Sequence, residues 1–287
     1  PASPASPPDA VIRAMEDVLA KQLGQPLVVE NKAGAQGAIG LEQLARSEPD
    51  GYTFGLINTQ SVSATALRKD MPYKLETSFA PVAQLTFEAP VLIVSTKLQV
   101  GNLQDLVRLL RAKGDRMTYA SSGSGTPSHL GMELFKREIG SQILHIPYRG
   151  AAAASVDVAG GQADLTLVGS NVASQLIKGG RVKALAVSSD RRLPALPQVP
   201  TFAEAGWRNI DLRGWVGLVA PAGTSAAIME RMQQAVQATL STPAVRQRFA
   251  MLGSTPTASN PGEFAAFIAQ EDMRWKKVVK DANIQFD

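Results

Sequence analysis

Small polar residues crowd the stretch Tyr119-Ala120-Ser121-Ser122-Gly123-Ser124-Gly125-Thr126-Pro127-Ser128-His129-Leu130. Met117 to Ala120 reads as a strand, and the apolar spacing from Pro127 to Ile139 reads as a helix, with Thr126 at its N-cap and Pro127 at the first helical position. Such a strand-loop-helix junction leaves several backbone N–H groups unpaired at the positive end of the helix dipole, and that is chemistry for holding an anion. Gly123 and Gly125 have no Cβ to keep a ligand oxygen away, while the hydroxyls of Ser121, Ser122, Ser124 and Thr126 add donors. A capped tight turn with no ligand is the alternative these residues leave open.

A second candidate lies at the start of the chain, where Ser6-Pro7-Pro8-Asp9 can be read as Ser-x-x-Asp capping of a helix. It offers fewer amides, because Pro7 and Pro8 carry no N–H and only Ala5, Ser6 and Asp9 are left to donate. Polar residues expected at strand ends, Asn58, Thr59, Gly169, Ser170 and Asn171, are placed to line a cleft, and Tyr148 can contribute beside them. Arg149 reads equally well as an ion-pairing or surface residue.

Enzyme chemistry finds no comparable support. The sequence has no Gly-x-Ser-x-Gly elbow, no His-Glu-x-x-His and no Gly-x-x-x-x-Gly-Lys loop, and Gly34-x-x-Gly37-x-x-Gly40 is misspaced for a dinucleotide fingerprint. A hydrolase using Ser122 or Ser124 with His129 lacks a spacing that suggests an orienting acid or an oxyanion site. His129 and His145 therefore read as hydrogen-bonding or packing residues. With no cysteine and only 2 histidines, no metal site and no cofactor are expected.

The 287 residues carry 29 Lys and Arg against 25 Asp and Glu, without the run of like charges that a nucleic-acid arm needs. No stretch approaches the roughly 20 apolar residues of a membrane span. The opening Pro1-Ala2-Ser3-Pro4-Ala5-Ser6-Pro7-Pro8 is no signal peptide, so a targeting segment is expected upstream.

The elements that must position these residues alternate. Val11, Ile12, Met15, Val18, Leu19 and Leu23 recur at helical spacing up to Gly24, and Leu27 to Val29 then reads as a buried strand. A helix over Gly37 to Ser47, a turn at Asp50-Gly51 and a strand over Tyr52 to Ile57 follow. Further strands are expected at 91–95, 117–120, 142–146, 164–168 and 182–187, with helices between them. The fold class is α/β, with parallel sheets covered on both faces. After a strand at 212–220 only helices remain, near 225–240, 243–252 and 261–281. The domain reading is a discontinuous first lobe of 1–97 and 215–287 around a second lobe of 98–214.

Several ordered segments resemble one family. They are Glu30-Asn31-Lys32-Ala33-Gly34-Ala35-Gln36-Gly37, Pro49-Asp50-Gly51-Tyr52-Thr53, Tyr119 to Gly123 with His129-Leu130, His145-Ile146-Pro147-Tyr148-Arg149-Gly150, Gly161-Gln162-Ala163-Asp164, Ala220-Pro221-Ala222-Gly223-Thr224 and Trp275 to Ala282. Together they resemble the tripartite tricarboxylate transporter receptors, the Bug proteins, essentially from end to end. The resemblance implies a periplasmic, monomeric, Venus-flytrap binding protein with two α/β lobes, a hinge and a ligand cleft between the lobes. It implies a small organic carboxylate as ligand: a dicarboxylate, a tricarboxylate, an acidic amino acid or an aromatic acid. Amides from two loops, matching residues 1–9 and 121–129, would hold it, and a cation-coupled two-component permease would receive it. A sensing role is the alternative within the same class. Three departures stand out: Ala5 and Ser6 replace the family's paired glycines, a first strand expected before Pro1 lies outside the sequence, and Gly169-Ser170-Asn171 replaces a segment with Asp and larger side chains.

Overall fold

The structure, a computed structural model, describes residues 1–4, 6–68, 70–208 and 210–281. In chain order the first elements are α1 (Pro7–Leu23), α2 (Ala38–Ala45), β1 (Gly55–Asn58), α3 (Thr59–Leu67), α4 (Leu75–Ser78), β2 (Phe79–Glu88) and β3 (Pro90–Ser95). The middle of the chain gives α5 (Leu103–Lys113), β4 (Thr118–Ser121), α6 (Pro127–Ile139), β5 (Leu144–Pro147), α7 (Ala151–Gly160), β6 (Leu165–Gly169), α8 (Ser170–Lys178) and β7 (Val182–Val187). It ends with β8 (Gly214–Pro221), α9 (Ala226–Ser241), α10 (Pro243–Met251), β9 (Ser254–Pro256) and α11 (Pro261–Asp281). None of these helices is long and apolar enough to cross a membrane.

The chain divides into two compact units, Pro1–Phe87 with Trp215–Lys277, and residues 88–214 with 278 onward. In the first unit the sheet order is β1-β8-β2-β9. Helix α1 stops where its periodicity does, because Gly24 adopts φ +69° and its N–H returns to the carbonyls of Ala20 and Lys21. Its apolar stripe, Val11, Met15 and Leu19, is buried with Val82 and Leu85 of β2, Val216 and Leu218 of β8, and Met232, Val236 and Leu240 of α9. Each such side chain stabilises the unit by about 1.5–3 kcal/mol. Helix α11 lies so close to β8 that a Cβ on Gly217 would stand 2.0 Å from the Phe264 ring.

Leu27–Val29 is not a strand: the segment has no ladder partner, and Val28 is 85% exposed. A strand exists only by pairing. Among the described residues β1 pairs with β8 alone, and a groove of ≈ 500 Å³ is lined by both Leu27–Val29 and Phe54–Leu56. The following strand likewise starts at Gly55, not at Tyr52, which is 89% exposed.

The second sheet has the order β5-β4-β6-β3-β7. Helices α6 and α7 are crossovers, so β4 runs parallel to β5 and to β6. The expectation of purely parallel sheets is corrected by β3, which pairs antiparallel with both β6 and β7. It arrives directly from β2 with no crossover helix to reverse it. The same pairing corrects the reading of 91–95 as the last strand of the first unit. The chain crosses at Phe87/Glu88, earlier than the expected boundary at 97. Val91, Ile93, Ala120, Val168 and Val187 of this sheet are buried with Val158 of α7 and Ala173 of α8.

Glu88, at that crossing, is half-buried and its carboxyl has no hydrogen-bond or ion-pair partner among the described residues. Burial pushes it up to about 7. A folded-state value above the ordinary one of 4.5 costs nothing below that pH; the penalty grows as pH rises from there to about 7 and is fully present above it. Glu88→Gln is expected to raise Tm by roughly 3–6 °C at high pH, the gain vanishing near pH 4, as a thermal scan at both pH values would show.

Candidate anion-binding site

Strands β4, β5 and β6 end together at Ser121, Pro147 and Gly169, and each is followed by a helix, α6, α7 or α8. Ligands of parallel α/β sheets bind at this carboxyl edge. All three helices start without a side-chain cap, from Thr126, Gly150 and Gly169. Helix α5, which follows the antiparallel β3, is capped conventionally by Asn102, whose side chain accepts the Asp105 N–H.

Thr126 stands at the N-cap of α6 with extended backbone, φ −74° and ψ 160°, and Pro127 opens the helix. Its hydroxyl does not cap: it donates to the Gly123 carbonyl at 2.6 Å. The backbone N–H groups of Ser128 and His129, the second and third of α6, consequently have no partner among the described residues. Ser124 N–H is also unpartnered there, and Ser124 is exposed.

Other amides of the loop are committed internally. Ser122 N–H donates to Ser128 Oγ at 3.0 Å, Gly123 N–H to Ser121 Oγ at 3.2 Å, Gly125 N–H to His129 Nδ1 at 2.9 Å, and Thr126 N–H to the Gly123 carbonyl at 3.3 Å. Gly123 at φ +129° and Gly125 at φ +72° allow these reversals, which a side chain would strain. Of the described amides of residues 121–129, then, those at Ser124, Ser128 and His129 face no internal acceptor. Ser128 was not singled out in the sequence, yet its hydroxyl lies within 3.0 Å of Ser122 Oγ and 3.2 Å of Thr126 Oγ1. Its position two residues after the N-cap was the available signal.

Behind the loop, three rings stack. His129 lies 4.0 Å from His145 with planes 7° apart, and His145 lies 4.8 Å from Tyr119. Tyr119 Oη donates to Glu133 Oε1 at 2.5 Å, and Lys136 Nζ donates to the same carboxylate at 2.7 Å. Burial lowers both imidazoles, His145 to about 4, with Lys136 acting in the same direction and Glu133 opposing. His145 Nε2 lies 2.6 Å from Ser121 Oγ. This is not a nucleophilic pair, since Ser121 is fully buried and no acid orients His145 among the described residues. Ser122 and Ser124 make no hydrogen bond to the His129 ring, which leaves the Ser-His hydrolase without its geometry.

The remaining expected residues are largely engaged. Tyr148 Oη donates to Asp157 Oδ2 at 2.7 Å, and its N–H pairs with the Ser121 carbonyl. Gly169 is exposed at the start of α8, Ser170 is buried, and Asn171 Oδ1 accepts the Val172 N–H at 2.8 Å. In the first unit, Asn58 caps α3 by accepting the Ser61 N–H at 2.9 Å, and Thr59 Oγ1 accepts the Trp215 N–H at 3.0 Å. Ala5 lies outside the described residues. The Ser-x-x-Asp cap is corrected: Ser6 Oγ donates to the Ser3 carbonyl at 2.6 Å, and Asp9 accepts from Arg13 Nε at 3.0 Å and Asn31 Nδ2 at 2.9 Å. The two prolines between them stiffen the loop, and the better acceptors lie nearby.

Residues 11–284 match the family model described as tripartite tricarboxylate transporter family receptor. Among solved structures, the chain is similar to the periplasmic binding protein BugD, with 32% identity, TM-score 0.83 and coverage of 99% of this chain and 96% of that one. It is also similar to MatC of Rhodopseudomonas palustris with bound malate, with 30% identity, TM-score 0.81 and 97% and 96% of the two chains covered. A second R. palustris protein, solved with adipate, gives 30% identity, TM-score 0.86 and coverage of 99% and 96%.

Proposed function

We propose, from the premise that this chain belongs to the tripartite tricarboxylate transporter receptor family, that it captures a small organic acid by a carboxylate seated at the N-terminus of α6. A chain of this family and fold is a periplasmic solute-binding receptor and not an enzyme. The observation that carries the site is the uncapped start of α6, where the Ser128 and His129 amides have no acceptor among the described residues. A carboxylate supplies what the missing cap would. Each charge-assisted bond contributes about 1.5–3 kcal/mol, and the helix dipole adds to it.

Two relatives hold malate and adipate, both dicarboxylates, which supports a mono- or dicarboxylate here. Gly169, Ser170 and Asn171, at the same edge of the second sheet, would meet the rest of the molecule with hydroxyl and amide groups. The Ser6 and Asp9 side chains, in the first unit, are bound internally. A cation-coupled membrane permease is the partner that the family description implies, with the receptor acting as a monomer.

Thermal-shift measurements against a panel of organic acids test this reading. A ligand at about 100 times its Kd should add about 2.7 kcal/mol of stability. Stabilisation by uncharged solutes alone would end the carboxylate reading.

A further inference from the structure

We infer that His129 is a positioning residue of this site: by accepting the Gly125 N–H, its imidazole sets the loop conformation that leaves the Ser128 and His129 amides open to a carboxylate. The inference rests on the receptor reading and names the side chain on which that site depends.

His129 is the third residue of α6. In a capping box, the side chain at that position reaches back to the N-cap N–H, and the N-cap side chain answers by accepting the third residue's N–H. Here only the first half is made, and it is shifted by one residue. His129 Nδ1 takes the N–H of Gly125, just before the N-cap, at 2.9 Å, while the N-cap hydroxyl of Thr126 turns to the Gly123 carbonyl. The helix start is thereby fixed in shape without its free amides being consumed.

The ring itself is held from behind. His145 stacks on it, Tyr119 stacks on His145, and Tyr119 is anchored through Glu133 to Lys136. His145 also sits on Ser121 Oγ, which accepts the Gly123 N–H. The two histidines of the chain thus hold the two glycine amides of the loop, His129 directly and His145 through Ser121.

Accepting an N–H requires a lone pair on Nδ1, so His129 works only as a neutral ring with its proton on Nε2. The titratable groups facing it are Tyr119 on β4, His145 on β5, and Glu133 and Lys136 on α6 itself. Burial is the largest influence and favours the neutral form. A proton on Nδ1 would set donor against donor at Gly125 and place a positive charge at the positive end of the helix dipole.

Two variants separate positioning from packing. His129→Asn keeps an acceptor near the place of Nδ1 but cannot titrate, and His129→Leu keeps bulk without an acceptor. The amide resonance of Gly125, followed without ligand from about pH 4 to 8, should titrate with the His129 ring in the wild type, stay flat in His129→Asn and be displaced at every pH in His129→Leu. Affinity for malate or adipate at neutral pH should fall by at least about tenfold in His129→Leu and by less than about threefold in His129→Asn. Acidification should weaken the wild type more than His129→Asn, the loss common to both being protonation of the ligand's own carboxylates. A Gly125 resonance indifferent to His129 protonation, or equal losses in the two variants, would overturn the inference. Failure of the receptor reading looks different: the wild type binds no carboxylate at any pH, while the ligand-free Gly125 titration still reports on His129.

Discussion

Thr126→Asp is expected to abolish carboxylate binding while making the protein more stable. The backbone at 126 already has the extended N-cap geometry, and the threonine hydroxyl is turned away from the helix. An aspartate there can accept the Ser128 and His129 N–H groups and complement the dipole, adding about 0.5–1 kcal/mol. It also puts a permanent carboxylate where the ligand's must go, and the lost pair of charge-assisted bonds corresponds to at least about a hundredfold in Kd. Thermal denaturation and calorimetric titration on the same sample check both halves. A variant that binds organic acids as the wild type does would place the ligand away from α6, whatever its stability.

Glu271→Ala should be among the most destabilising substitutions in the first unit, by about 3–5 kcal/mol. Glu271 is 4% exposed, and one of its oxygens accepts both indole N–H groups, from Trp215 at 2.9 Å and from Trp275 at 3.0 Å. Arg274 donates to the other oxygen at 2.9 Å. Trp215 lies on β8 and packs edge-on against Phe264 and Phe267 of α11, so this carboxylate ties helix to sheet. Truncation leaves two buried donors with nothing to accept them, whereas Glu271→Gln keeps an oxygen and should lose much less. Urea midpoints of the two variants decide it, and a cost below about 1 kcal/mol for the alanine would show that the indoles find other acceptors.

What was legible in the sequence and what was not divides along physical lines. The loop at 121–129 could be read because its signals are local: glycines that permit positive φ, a threonine before a proline, and an apolar helical period. Which of its amides are free could not, because that depends on where the His129 ring and the Ser128 hydroxyl reach in three dimensions. The Ser6 to Asp9 pattern looked like a cap, but Asn31, distant in sequence, competes for Asp9. Leu27–Val29 has the composition of a strand, yet strand character is a property of a pair, and none of the described strands pairs with it. Strand β2 has no clear apolar alternation in the sequence, because Pro81, Gln84 and Thr86 interrupt it, although Gln84 and Thr86 are buried. The membership of β3 in the second sheet rests on pairing with β6 and β7, far along the chain.

The central claim, a carboxylate seated on the first turn of α6, is tested most directly by following backbone amide resonances while malate or adipate is added. Saturable downfield shifts of the Ser128 and His129 amides are expected, with Gly125, already bonded to His129, moving little. Saturable binding that leaves Ser128 and His129 unmoved would contradict it.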